Sequence, residues 1–257
     1  MVLWYQQANV NFHPGSKMQS LYGFEIVENC RRCKQRAGRV FCDLPLPTLD
    51  ALQALGFATA CPKGSLLFAQ GQPSREISVL CVGHVKISTA SKTGKRICLG
   101  IVGPGTVLGL SAAISGKPHQ ALIEALEPCQ LRVIKADSFL ALLRSEQAAC
   151  FAAVTCLSND VRRIHDCALL FGLSHSAAER LARVLVRWDM HEDDEPKSRL
   201  RLRFPLTHQE LAEILGVARE TVTRLLSTFE RRHLIRCCGS TLVIEDERAL
   251  RALAAAA

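Results

Sequence analysis

No apolar run in this chain approaches the roughly 20 residues a membrane-spanning helix needs, and its N-terminus lacks the basic-then-apolar pattern of a secretion signal. These absences argue against a membrane partner and for the cytoplasm. Catalytic signatures are missing too. There is no nucleophile elbow, P-loop, His-Glu-x-x-His or paired-carboxylate arrangement, so the sequence gives no reason to expect an enzyme. Residues 1 to about 29 carry Trp4, Tyr5, His13, Pro14 and Gly15 without a helix or strand period and read as a loose arm, with Met18 an alternative start.

What the chain has in quantity is cysteine, twelve in 257 residues. In a reducing compartment these read as metal ligands, redox thiols or small buried residues rather than a disulfide framework. Three are grouped as Cys30-x2-Cys33-x8-Cys42, among Arg31, Arg32, Lys34, Arg36 and Arg39. Two thiolates spaced Cys-x2-Cys reach one centre from a single turn, and the third returns on a short loop. Neighbouring positive charge favours the thiolate, which helps both metal binding and oxidation. By spacing alone, zinc, iron–sulfur and no metal stand level.

The length and a 48% hydrophobic content suit two domains with a sizeable core. Pro45 and Pro47 break the chain, and Leu49, Leu52 and Leu55 begin a short helix. From Lys63 to about Ile134 the texture becomes short β-rich runs separated by glycines, including 65–68, 77–82, 84–88 and 96–101, with a turn at 91–95. Strands of that length with glycine turns predict a β-roll or jelly roll. Asp137-Ser138 reads as an N-cap pair. A long helix follows in which Cys150, Val154, Leu157, Val161, Ile164, Ala168 and Phe171 alternate steps of four and three. That is a coiled-coil seam and predicts a parallel homodimer. Gly172 ends it, a hinge is expected near 172–176, and another helix runs 174–188 with Leu181, Leu185 and Trp188 inward.

The C-terminal third holds the most specific signal. Thr207 and Glu210 form a capping box, Leu211, Ile214 and Leu215 give one apolar face, and Gly216 suits a tight turn. A second helix starts near Ala218 with Val222, Leu225, Leu226 and Phe229 inward, leaving Arg219, Glu220, Thr223 and Arg224 outward. Arg suits guanine O6/N7 and Glu accepts from cytosine N4, so these residues, with Thr207, His208 and Thr221, are the candidate DNA contacts. Between Lys197 and Arg236 nine Lys/Arg face four Asp/Glu, an excess suited to a phosphate backbone. A hairpin through Gly239-Ser240 completes a winged helix, with an acidic loop at 191–196 and a frayed alanine run at the end.

LTHQELAEILGV followed by RETVTRLL resembles the DNA-binding domain of the cyclic-AMP receptor protein/FNR (Crp/Fnr) family of bacterial regulators, and GSLLFAQG with VLCVGHVKIS resembles its cyclic-nucleotide-binding roll. The resemblance covers nearly the whole chain. It implies an α+β architecture in four parts: a cysteine arm over 1–47, a roll over 48–135, a dimerisation helix over 136–173 and a winged helix-turn-helix over 174–257. It also implies a homodimer on a palindromic double-stranded operator of the TGTGA or TTGA type, with RNA polymerase as a partner, and Arg219, Glu220 and Arg224 as base readers. One departure is Ala218, where relatives often place a capping Ser or Thr.

FNR-type relatives hold an oxygen-labile [4Fe–4S] cluster through an arm cysteine group and a fourth cysteine from the roll. By that resemblance Cys30, Cys33 and Cys42 are ligands, with zinc the alternative. The EALEPCQLRVI run puts Arg132 at the fourth position. Cys129 lies three residues earlier, an odd offset that on a strict strand points to the opposite face. It is the candidate fourth ligand if it still belongs to a turn, and Cys98 is next. Where cyclic-AMP-binding relatives use Glu and an Arg-Ser pair, this chain has Val107 and His119-Gln120. A phosphate would lose its bidentate partner there, so cyclic AMP is not expected. His119 and Lys117 read more simply as solvated than as a site for another anion.

Overall fold

The computed structural model describes residues 26, 28–33, 36–91, 96–173, 176–189, 201–203, 206–238 and 241–255. The residues before 26, expected to be a loose arm, residues 92–95 of the expected 91–95 turn, the expected acidic loop at 191–196 and the expected Gly239-Ser240 turn lie outside them.

Cys30–Arg32 form a 3-10 turn capped by the Asn29 side chain. It docks on α1 (Leu46–Ala54), where Gln53 Oε1 accepts from the Cys30 N–H at 2.7 Å and Arg31 pairs with Asp50. Pro47 is in the first turn of α1, where a missing N–H costs nothing. Phe41 is fully buried, its ring 5.6 Å from that of Phe139. The arm from residue 36 to 44 is thus part of the fold.

The roll comprises β1 (Gly56–Cys61), β2 (Leu66–Phe68), β3 (Glu76–Val82), β4 (Val85–Ala90), β5 (Arg96–Val102), β6 (Val107–Leu108), β7 (Leu122–Ala125) and β8 (Cys129–Lys135), with α2 (Leu110–Ser115) after β6. They form two antiparallel four-stranded sheets, β1-β8-β3-β6 and β2-β7-β4-β5. Leu80, Leu131 and Val133 point between the sheets to meet Phe68, Val85, Ile87 and Ile123. Ile77, Val79 and Ile134 point the other way, into a second core with Phe41, Leu49 and Phe139. The first sheet is therefore covered on both faces, which is why ISVLCV is apolar at every position but Ser78 rather than alternating. β1 was not anticipated. Its own residues, GFATAC, are mostly small, and it forms by pairing with β8.

Helix α3 (Ala136–Ser145) begins with Lys135 at the N-cap and no side-chain cap, so Asp137-Ser138 is not the capping pair. Asp137 instead sits in the first turn, where its charge meets the positive end of the helix dipole. The chain breaks at Glu146, whose Oε2 accepts from Thr48 Oγ1 at 2.8 Å, before α4 (Gln147–Leu173). No single helix among the described residues is long and apolar enough to cross a membrane.

The C-terminal part contains α5 (Ala177–Asp189), β9 (Arg201–Arg203), α6 (His208–Leu215), α7 (Arg219–Arg231), β10 (Ile235–Cys238), β11 (Thr241–Ile244) and α8 (Glu247–Ala255). The sheet order is β10-β11-β9. Its core is Leu181, Leu185, Leu211, Leu215, Val222 and Phe229. Helix α8 includes the first two residues of the alanine run expected to fray, and the Ala254 carbonyl accepts from Arg183 Nε at 2.7 Å; Ala256 and Ala257 lie outside the described residues.

Candidate DNA-reading surface and thiol site

The capping box is formed. Thr207 Oγ1 accepts from the Glu210 N–H at 3.2 Å, and Glu210 Oε2 accepts from the Thr207 N–H at 2.6 Å. Gly216 ends α6 at φ 65°, a left-handed conformation that other residues adopt at a cost. It holds α7 across α6 with Val222, Leu226 and Phe229 buried. Arg219, Glu220, Thr223 and Arg224 are all exposed and line one shallow depression. His208 Nδ1 lies 2.9 Å from Thr223 Oγ1, tying the start of α6 to the reading face, while Thr221 is half-buried beside Arg224. Ala218 has the extended N-cap conformation and offers no side-chain cap.

The thiols separate into three places. Cys42 is close enough to Cys30 and Cys33 to feel their charge. Burial pushes it up to about 11, with Cys30 and Cys33 adding and Arg39 and Arg36 opposing. Cys129 does not join them. It is the first residue of β8, directly opposite Cys61 on β1, and it points between the sheets with its thiol toward the Glu127 and His84 carbonyls at 3.2 and 3.4 Å. Its hydrogen bond with Cys61, then burial, drives its pKa far up, while Cys61 is lowered. The assignment of Cys129 as fourth ligand is thus corrected for a geometric reason: in β8 the even positions face the arm, where Arg132 donates to the carbonyls of Glu28, Gln53 and Gly56 at 2.6 to 3.3 Å. Cys98 fails as well, being buried against the C-terminal core, with Cys167 on its carbonyl. Among the described residues no group of three or more cysteine, histidine or carboxylate side chains is placed closely enough to hold a metal ion.

One cysteine that sequence reasoning passed over is Cys81 on β3. Burial pushes its thiol up to about 12, Cys42, Cys30 and Cys33 add to the rise, and Arg132 opposes it. The available signal was parity, since Cys81 is two residues from Val79, which faces the arm.

On α4, Val154, Val161 and Ile164 are exposed by 57%, 67% and 51%, and Ala168 is exposed too. Leu157 is half-buried against the core around Phe41. Phe171 meets the α6–α7 turn, where a Cβ on Gly216 would lie 3.0 Å from its ring. Phe151, which the four-and-three pattern omits, is the most exposed large apolar side chain of the helix at 73%.

Comparison with known proteins fits this geometry. The Crp-like helix-turn-helix domain matches residues 179–253, and the cyclic nucleotide-binding domain matches 59–146. The chain belongs to the Crp/Fnr family. It is a DNA-binding transcription regulator of that type and not an enzyme. It is 24% identical over 191 residues to the CRP-like cAMP-activated global transcriptional regulator of Mycobacterium tuberculosis, covering 74% of this chain and 84% of that one. It is 26% identical over 192 residues to the fumarate and nitrate reduction regulatory protein of Yersinia pestis, covering 75% and 76%. Its fold is that of FixK2 from Bradyrhizobium japonicum, at 23% identity, TM-score 0.70, and 79% and 98% coverage. The exposed face of α7 lies within the matched helix-turn-helix domain.

Proposed function

We propose that this regulator senses oxygen or redox state through a metal centre on Cys30, Cys33 and Cys42 and reads a palindromic operator as a homodimer. The observation that carries it is the position of Cys42. It lies beside Cys30 and Cys33 on one side and is near enough to Cys156 of α4 to raise that thiol by its charge. The donor set suits iron–sulfur or zinc, being thiols flanked by guanidinium groups. When bound, a [4Fe–4S] cluster supplies a group that oxygen or nitric oxide breaks down.

The chain's own residues do the rest. The Cys30 N–H and the Arg31 side chain hold the arm on α1 through Gln53 and Asp50, and Phe41 packs against Phe139 in the core that contains Ala149, Ala152 and Ala153 of α4. Freeing the arm therefore loosens the bed of the helix whose apolar stripe pairs with a second copy. Arg219, Glu220 and Arg224 then lose their two-fold arrangement on DNA. RNA polymerase is the partner through which bound protein acts. Cyclic AMP is not the effector: His119, at the phosphate position, is 6% exposed, stacked 4.5 Å from Phe68, and held neutral by burial.

Anaerobic purification with iron, sulfide and zinc analysis, followed by operator binding of wild type and Cys33→Ser, tests this reading. About four irons per chain, with metal and affinity both lost in Cys33→Ser, supports it. One zinc per chain makes the site structural, and unchanged affinity in the variant disproves the coupling.

A further inference from the structure

We propose that Cys81 is the fourth thiol of the metal centre formed with Cys30, Cys33 and Cys42. The assignment rests on the preceding reading that the arm cysteines hold a metal.

Strand geometry carries it. On β3, Ile77 and Val79 point into the core that contains Phe41, Leu44 and Leu49 of the arm and α1, whereas Leu80 points between the sheets. Cys81 follows Val79 by two residues, its thiol turned back toward the Val79 carbonyl at 3.6 Å, and it lies close enough to Arg132 and the arm cysteines for their charges to act on it. β3 and β8 are neighbours, with Val79 opposite Arg132 and Leu80 opposite Leu131. The same parity therefore sends Arg132 to the arm and Leu131 to the interior. The register shifts between Leu80 and Val82, which leaves Cys81 outside the regular ladder. Arg39, three residues before Cys42, donates to the Cys81 carbonyl at 3.5 Å.

The charge environment suits four thiolates. A divalent ion or an iron–sulfur core held by four of them keeps a net negative charge, and that charge must be offset in a partly buried site. Arg39 and Arg36 stand by Cys42, and Arg132 stands by Cys81. Arg132 also fixes the arm through the Glu28 carbonyl, so it serves as tether and counter-charge at once. Ligation through Cys81 joins the arm to the sheet itself, whereas three arm thiols alone would close only a local loop. Binding displaces the thiol protons to solvent and draws the four sulfurs together.

Wild type, Cys81→Ser, Cys81→Ala and Cys129→Ser are purified anaerobically, reconstituted with ferrous iron and sulfide, and analysed for iron, sulfide, zinc and visible absorption. Circular dichroism reports whether each is folded. Wild-type metal content in Cys129→Ser, with at least a fivefold loss in both Cys81 variants, is the expected result. On wild type, alkylation read by mass spectrometry should show Cys81 becoming protected together with Cys30, Cys33 and Cys42 on metal loading, with Cys98 and Cys129 unchanged. Full metal content in the Cys81 variants, or unaltered Cys81 labelling, overturns the inference and leaves the arm site standing. Metal-free wild type overturns both.

Discussion

Lys86 Nζ lies 2.7 Å from Glu213 Oε2, an ion pair that joins β4 of the roll to α6 of the helix-turn-helix. The Lys86 side chain is 4% exposed and Glu124 is a second carboxylate at 3.8 Å. Burial would lower the Lys86 pKa, but Glu213 and Glu124 outweigh it and the net shift is upward. Removing one partner of a buried pair costs about 3 to 5 kcal/mol. Glu213→Gln leaves Glu124 in place, so denaturant unfolding should show a smaller loss than that range, about 2 kcal/mol. Pairing it with Lys86→Met should restore part of the loss.

Gly216→Ala meets two obstacles together, a φ of 65° and the Phe171 ring 3.0 Å from the new Cβ. The left-handed conformation alone costs about 1 to 2 kcal/mol. Thermal unfolding should register at least that, and Phe171→Ala in the same chain should relieve the steric share without touching the conformational one.

Ala218→Ser should stabilise. The backbone at 218 already has N-cap geometry without a side-chain acceptor, and a serine there gains about 0.5 to 2 kcal/mol. Base preference should be unchanged, because Arg219, Glu220 and Arg224 do not move; a shifted half-site in a binding selection would contradict this.

Val161→Glu places a charge in the middle of the exposed α4 stripe, at a position 67% exposed in the single chain. Sedimentation should show monomer at concentrations where the wild type is dimeric. Affinity for a two-half-site operator should fall at least tenfold, with single half-site binding retained.

His119 sets an acid-side dependence. Burial lowers its pKa from 6.5, so above that value it is neutral in both folded and unfolded chains and contributes nothing to the pH slope. As pH falls below it the unfolded chain takes the proton first, and stability declines by up to about 1.4 kcal/mol per pH unit. His119→Gln should flatten the stability profile between pH 7 and 5; an identical slope would show that the ring is protonated where it stands.

The helix-turn-helix was legible because its signals are local: a cap, a stripe, a turn glycine and a polar face, all within the stretch from Thr207 to Phe229. The arm cysteines were legible for the same reason. Cys81 was not, because ISVLCV reads as one more buried strand, and its role depends on β3 pairing with β8 and on which face the arm covers. Cys129 misled through proximity in sequence to Arg132, and the two-residue period of β8 sends them to opposite faces. α8 was missed since its alanine-rich sequence has little apolar pattern beyond Leu250 and Leu253, and it forms against α5.

Helix α4 is 27 residues, roughly 40 Å of rod, with its apolar stripe at mid-length and Phe171 on the α6–α7 turn at its end. A residue inserted between Ile164 and Phe171 would rotate everything after it by about 100°. The stripe and the Phe171 contact could then not both be kept. The number of residues in this rod therefore sets the phase between the two reading heads, and sequence drift along α4 is free to change residue types far more readily than length.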